Sequence, residues 1–207
     1  MRRRVSDIVA TTAAAALALG FTAMSVSAEQ QEWIVDPGGA YEATAGTTVL
    51  TNTANGVQLT CSGSDASGVL EGSASGTPAQ LGSIENITFD DCSGPLGLTF
   101  EVVPGGDEDW TINGESYADG VTTGYIGGVV ATLTGTGCEA TVEGEAPGTY
   151  DNATDTLAPA PIEGSVHELV VTSVDSGANC FGLISEGDTV TFEASYTVTP
   201  GQDVIQQ

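Results

Sequence analysis

Residues able to do chemistry are few in this chain, and they are mostly acids. Asp107-Glu108-Asp109 follows Gly105-Gly106 and precedes Trp110. Carboxylates grouped in a glycine-rich loop can hold a calcium ion, which takes several oxygen ligands. The spacing is not that of an EF-hand, however, and three consecutive acids cannot all turn to one centre. Asp151-Asn152 with Asp155 forms a second such group, and Asp90-Asp91 precedes a cysteine; both read as solvated turns. Divalent cations are therefore expected as weak partners at most, and no structural metal or cofactor is expected. Asp175-Ser176-Gly177 has the look of an aspartic-protease tripeptide. That chemistry needs two carboxylates sharing a proton, and only one copy is present. His167 is the sole histidine, so any Ser-His-Asp triad would have to use it. No G-x-S-x-G elbow accompanies it, and Gly164–Glu168 reads as the approach to a strand. A glycan hydrolase could still work with two carboxylates alone. Trp33, Trp110, Tyr117, Tyr125 and Tyr150 could form a binding platform, although core packing accounts for most of them.

The four cysteines have a clearer role. Cys61, Cys92, Cys138 and Cys180 are too widely spaced for a zinc site and are even in number. A faint repeat selects the pairing. Cys92 leads through Gly-Leu to Thr99-Phe100-Glu101, and Cys180 leads through Gly-Leu to Thr191-Phe192-Glu193. Each half thus runs from one cysteine over a long excursion to a second, predicting Cys61–Cys92 and Cys138–Cys180. Loops of that length stabilise by roughly 3–4 kcal/mol each on the chain-entropy account.

Disulfides require an oxidising compartment, and the N-terminus supplies the route. Arg2, Arg3 and Arg4 precede an apolar run over 8–24, and Val26-Ser27-Ala28 is a small-x-small cleavage site. Residues 1–28 read as a secretory signal peptide. Residues 29–207 are expected to be a single released, extracellular domain. Those three arginines are the only basic residues of the 207, against 28 acids and a net charge of −25. Asp7 is the one acid within the signal, so cleavage leaves 27 acids and neither Lys nor Arg. Such a chain cannot clamp phosphates, which excludes nucleic acid as a partner. It cannot bind an anionic membrane electrostatically either, and lysine-dependent chemistry is ruled out. Like charges draw together on compaction, so the native state is expected to hold more protons than the unfolded chain. Stability should then fall as pH rises, and mild acid, salt or divalent cations should raise the melting temperature.

The elements that must position these residues are strands. Thr189–Val198 alternates strictly, with Val190, Phe192, Ala194, Tyr196 and Val198 on one face. Leu96, Leu98, Phe100 and Val102 repeat the pattern, as do Cys138, Ala140 and Val142. Ile84–Phe89, Tyr125–Leu133 and Glu168–Val174 are further strand candidates. Asn55-Gly56 and Asn113-Gly114 each predict a two-residue hairpin. The first would set Leu50 against Cys61, the second Trp110 against Tyr117. Ser62–Gly68 and Glu71–Thr77 read as turns and exposed edges. No 3.6-residue stripe follows the signal. The expected fold is all-β: an antiparallel β-sandwich or barrel with two disulfides. The faint repeat suggests two pseudo-repeated halves that meet near 104–109.

Gly46-Thr-Thr-Val-Leu-Thr-Asn, Leu59-Thr-Cys-Ser-Gly-Ser, Cys92-Ser-Gly-Pro-Leu-Gly-Leu-Thr-Phe and Thr149-Tyr-Asp-Asn-Ala-Thr carry a resemblance over most of the mature chain. It resembles uncharacterised small secreted β-rich proteins of actinomycete bacteria. The resemblance implies the secreted, two-disulfide β fold and transfers no site. The functional expectation is a non-enzymatic secreted protein that binds a protein or glycan, or interacts with the cell envelope. Its rivals are a carboxylate-dependent glycan hydrolase and a structural surface protein that assembles through β edges.

Overall fold

The computed structural model describes residues 31–207, so the expected signal peptide, residues 1–28, lies outside the described residues. The described chain is built of antiparallel strands and two short 3-10 turns. Its organising element is one long hairpin, β11 (Val121–Gly135) and β12 (Cys138–Asp151), paired along nearly its whole length. Each of these strands serves two neighbours in succession on its outer edge. β11 pairs first with β10 (Trp110–Ala118) and then with β9 (Thr99–Pro104). β12 pairs first with β14 (Leu169–Asn179) and then with β13 (Thr156–Pro159).

Two rings of eight strands close around this hairpin. One runs β10-β11-β12-β13, then β16 (Tyr196–Thr199), β2 (Gly39–Ala45), β5 (Gly63–Leu70) and β7 (Ala79–Asp90), and returns to β10. The other runs β9-β11-β12-β14, then β15 (Thr189–Glu193), β3 (Thr48–Asn52), β4 (Gln58–Cys61) and β8 (Cys92–Ser93), and returns to β9. The rings share chain as well as hairpin. β2 leads into β3, β4 into β5, β7 into β8, β9 into β10, β13 into β14 and β15 into β16. Each connection crosses from one ring to the other, so the barrel is a single body. The two expected halves are interleaved in it. A separate sheet, β17 (Asp203–Gln206), β1 (Glu32–Asp36) and β6 (Ser73–Ser75), covers the β10 ring. Its Trp33 is 0% exposed, and the indole N–H donates to the Gly76 carbonyl at 3.0 Å.

Alternation sets the inner faces, both in strands the sequence predicts and in β2, which it does not. Cys138, Ala140 and Val142 are buried between exposed or half-buried neighbours, as are Tyr41, Ala43 and Ala45. Val190, Tyr196 and Val198 are likewise buried, but Thr189–Val198 is two strands rather than one. The chain changes rings at Ala194-Ser195, where the Ala194 N–H donates to Pro159. Both disulfides form as predicted, Cys61–Cys92 and Cys138–Cys180, and each second cysteine introduces a 3-10 turn. In those turns Leu96 and Phe181 take left-handed φ values of 60° and 54°, so the faint repeat is a local structural one.

Several local expectations are corrected. Leu96 is 100% exposed at its turn, and the strand begins only at Thr99. Asn113-Gly114 makes no hairpin, because β10 runs straight through it and Trp110 and Tyr117 share one strand. Gly114 is required for another reason: a Cβ there would lie 3.0 Å from the Trp33 ring. The turn falls at Asp119-Gly120, both left-handed at φ 51° and 86°, which suits a two-residue hairpin loop. The Asn55-Gly56 loop is longer than two residues, with Asn52 N–H donating to Val57. Leu50 therefore faces Leu59 and Cys61 faces Thr48. A slide of two residues keeps every side chain on its predicted face. Ser62–Gly68 is no edge, since β5 is paired on both sides. Its small residues are there because neighbours crowd them; a Cβ on Gly68 would lie 2.0 Å from the Ser83 carbonyl oxygen.

Candidate functional site

The acids singled out in the sequence do not converge. Asp107, Glu108 and Asp109 are exposed. Among the described residues no group of three His, Cys, Asp or Glu side chains is placed to hold a metal ion. Asp175 accepts the Gly177 N–H at 2.7 Å on an exposed stretch of β14. Asp151 likewise caps Ala153, and Asp91 turns the chain at φ 45°. The aromatic residues do not assemble into a platform: Trp33, Trp110 and Tyr150 are core.

One cluster does form, around His167. Its Nδ1 lies 2.6 Å from Glu145 Oε2, and its Nε2 lies 3.0 Å from Glu115 Oε1. The ring stacks on Tyr125 with centroids 3.8 Å apart and planes at 20°. These partners come from three adjacent strands, β10, β11 and β12. His167 itself ends the strap 160–168 that joins β13 to β14.

Both glutamates stand at breaks in the ladder. Gly114 pairs with Gly124 and Ser116 with Thr123, leaving Glu115 as the extra residue of a bulge. Ile126 pairs with Ala146 and Val129 with Gly144, leaving Glu145 opposite Gly127-Gly128. A bulge interrupts the pleat and re-aims a side chain. That is how two strands flanking β11 direct carboxylates to one point above it. The sequence shows the lone histidine but gives no sign of these offsets, so Glu115, Glu145 and Tyr125 were not legible as its partners.

The electrostatics follow from the geometry. The His167 side chain is 10% exposed, Glu115 36% and Glu145 43%. Burial alone pulls the imidazole pKa down, but hydrogen bonds and charge from Glu145 and Glu115 outweigh it and hold the pKa above its ordinary value. Burial, then the same two carboxylates, raises the Tyr125 phenol. An ionised carboxylate only accepts, so a ring bonded to two of them donates from both nitrogens and is an imidazolium. Its stacking on Tyr125 adds a cation–π attraction. Such a ring has no free nitrogen with which to act as a base, so the cluster is a charged clamp.

A cavity of about 330 Å³ lies between this strap and β15. Thr53, Ser165, Thr189 and Thr191 line it together with Ile162 and Phe192; His167 lies at its wall, and Glu168 is its only acid. Elsewhere in the core, burial lifts the Tyr196 phenol to about 12, against the opposing effect of a Ser64 hydrogen bond. No protein-family model matches the chain, no curated protein is similar to it, and no solved structure matches it.

Proposed function

We propose that the chain is a secreted, non-catalytic module that binds a neutral, hydroxyl-bearing partner in the groove beside the 160–168 strap. Secretion is supported by the two disulfides, which persist in oxidising compartments. No helix among the described residues is long and apolar enough to cross a membrane. The observation that carries the binding reading is the engagement of both His167 nitrogens by glutamates. With that ring occupied and Glu168 the only acid on the walls, the groove offers hydroxyls and apolar faces to a ligand. A glycan hydrolase needs two carboxyl groups facing one bond at roughly 5–10 Å, and this groove does not present such a pair.

The test is to titrate the mature protein with neutral oligosaccharides while following the His167 ring protons by NMR, and to assay the same mixtures for new reducing ends. Saturable shifts of the ring signals without new reducing ends are expected. Release of reducing ends would overturn the reading in favour of the hydrolase.

A further inference from the structure

The two turns that follow Cys92 and Cys180 are alike at their centres, and both are strained. Leu98 N–H donates to the Pro95 carbonyl at 3.3 Å, and Leu183 N–H donates to the Cys180 carbonyl at 2.9 Å. Between those bonds Leu96 stands at φ 60°, ψ 17° and Phe181 at φ 54°, ψ 21°. The glycine after each is left-handed too, Gly97 at φ 72° and Gly182 at φ 73°, and Cys180 adds a third such residue to the second turn at φ 53°. Two left-handed residues in succession make a type I′ turn, for which Asn-Gly is the favoured pair. Leucine or phenylalanine in the first place crowds its own backbone. Burial does not offset that strain, since Leu96 is 100% exposed and Phe181 64%. Strain kept at an exposed position points to function.

Both turns stand at one end of the β11–β12 hairpin. At its tip Gly135 lies opposite Phe100 on one side and Cys138 on the other, and Cys138 lies opposite Asn179. From Phe100 to Asn179 is three strand spacings, about 14 Å. The first turn leads into this row and the second leads out of it. Cys180 N–H donates to the Gly137 carbonyl at 3.0 Å, and a Cβ on Gly137 would lie 2.6 Å from the Phe181 ring. A small hollow at this end is lined by Gly94 and Pro95 beside the first turn and by Leu183 and Ile184 beside the second. Leu96 and Phe181 therefore flank the hairpin tip. The surface next to them is acidic. Glu101 and Glu139 face Thr134 from either side and are exposed, as is Glu186 beyond the second turn.

We propose that Leu96 and Phe181 are the anchors of a docking surface for a protein partner whose apolar pockets are set among Lys or Arg side chains. Exposed apolar groups gain by leaving water, and opposite charge around them steers the encounter and fixes the register. No Lys or Arg follows Arg4, so a second copy would set these acids against one another. A neutral lipid surface would accept the apolar tips but would give the acids no counter-charge. Neither Leu96 nor Phe181 lines the strap groove, so this surface stands apart from the site proposed there.

The experiment begins with stability. Leu96→Asn should raise the urea midpoint, because Asn is at ease in the left-handed region and a fully exposed side chain has no packing to lose. A lowered midpoint would give Leu96 a folding role and overturn the proposal. The binding probe is a synthetic amphipathic helix of Leu and Lys, with an all-Lys peptide of equal charge and a Leu/Glu helix as controls. In low salt the Leu/Lys helix should shift amide signals centred on 94–98, 135–139 and 180–184. It should bind about tenfold more tightly than the all-Lys peptide, and the Leu/Glu helix should not bind. Leu96→Asn with Phe181→Asn should bring the Leu/Lys affinity down to the all-Lys level; if that pair does not fold, Leu96→Asn alone decides and should lower it in part. Undiminished affinity in the variant, or shifts spread over the whole acidic surface, would overturn the proposal. So would engagement of the same turns by phosphatidylcholine vesicles, or by a second copy of the chain in sedimentation.

Discussion

At the scale of residues, the lone histidine shows how a polyanion uses its one titratable cation among the described residues. Histidine changes charge near neutrality, so the clamp couples stability to pH. The folded-state pKa of His167 is raised. Its contribution is therefore complete below the unfolded value near 6.5 and is lost as pH rises through the higher folded value. His167→Gln should cost about 1–2 kcal/mol at pH 6, a modest figure because both glutamates are more than a third exposed to solvent. It should cost progressively less towards pH 9. Thermal melts of the two proteins from pH 5 to 9 in low salt measure this. A constant gap across that range would remove the clamp from the account. General repulsion among the acids acts in the same direction, and the slope that remains in His167→Gln isolates it. The cysteines were legible at this scale because a repeat in the chain reported their pairing. The glutamates were not, because a bulge is a property of two paired strands.

Elements were legible where alternation is local and illegible where the partner decides. The inward faces of β12, β15 and β16 could be read by counting in twos. The location of the β10–β11 turn could not, because Asn113-Gly114 and Asp119-Gly120 are both good hairpin sequences. What separates them is tertiary: Trp33 and Leu81 pack on Gly114, and a Cβ on Gly124 would lie 1.9 Å from the Asn113 carbonyl oxygen. Close strand approach and turn geometry should therefore differ in cost. Gly120→Ala strains a left-handed residue with open space around it and should cost about 1 kcal/mol. Gly124→Ala must force β10 and β11 apart and should cost several-fold more, to the point of blocking folding. Urea midpoints of the two variants make the comparison; equal costs would discredit the packing argument. The outer edge of β17 is handled by side chains. The Asn152 amide donates to the Val204 carbonyl and accepts the Val204 N–H, and the Tyr150 hydroxyl does the same for Gln202. A strand edge with free N–H and C=O groups invites pairing with another chain. Asn152→Ala should lower stability by about 1–2 kcal/mol and introduce concentration-dependent dimers on sizing chromatography. A variant that stays monomeric at high concentration would mean that the Asn152 side chain does not guard this edge.

At the scale of the whole molecule, two rings share a hairpin, but their closures differ in strength. The β10 ring has its shortest join at β13–β16, two residue pairs, and otherwise closes through longer ladders such as β5–β7 and β2–β5. The β9 ring depends on one short join, because β4 meets β8 through Thr60 opposite Ser93 alone. The Cys61–Cys92 bridge ties those same two strands together. The β14–β15 join is two residue pairs, and Cys138–Cys180 anchors the turn that leads out of β14. Both crosslinks therefore hold the ring with the shortest join, in a protein with no Lys or Arg after Arg4 to form salt bridges. Covalent closure of the 31- and 42-residue separations contributes roughly 3–4 kcal/mol each on the chain-entropy account. The loss should also be local. In Cys61→Ser with Cys92→Ser, amide hydrogen exchange should accelerate first in β3, β4, β8 and β9, while β2, β5, β7 and β10 keep their protection. Stability is not uniform within a fold, and a ring held by one residue pair opens before one held by long ladders. Exchange that rises equally in both rings would mean that they unfold as one unit, and that the bridge acts only through the unfolded chain.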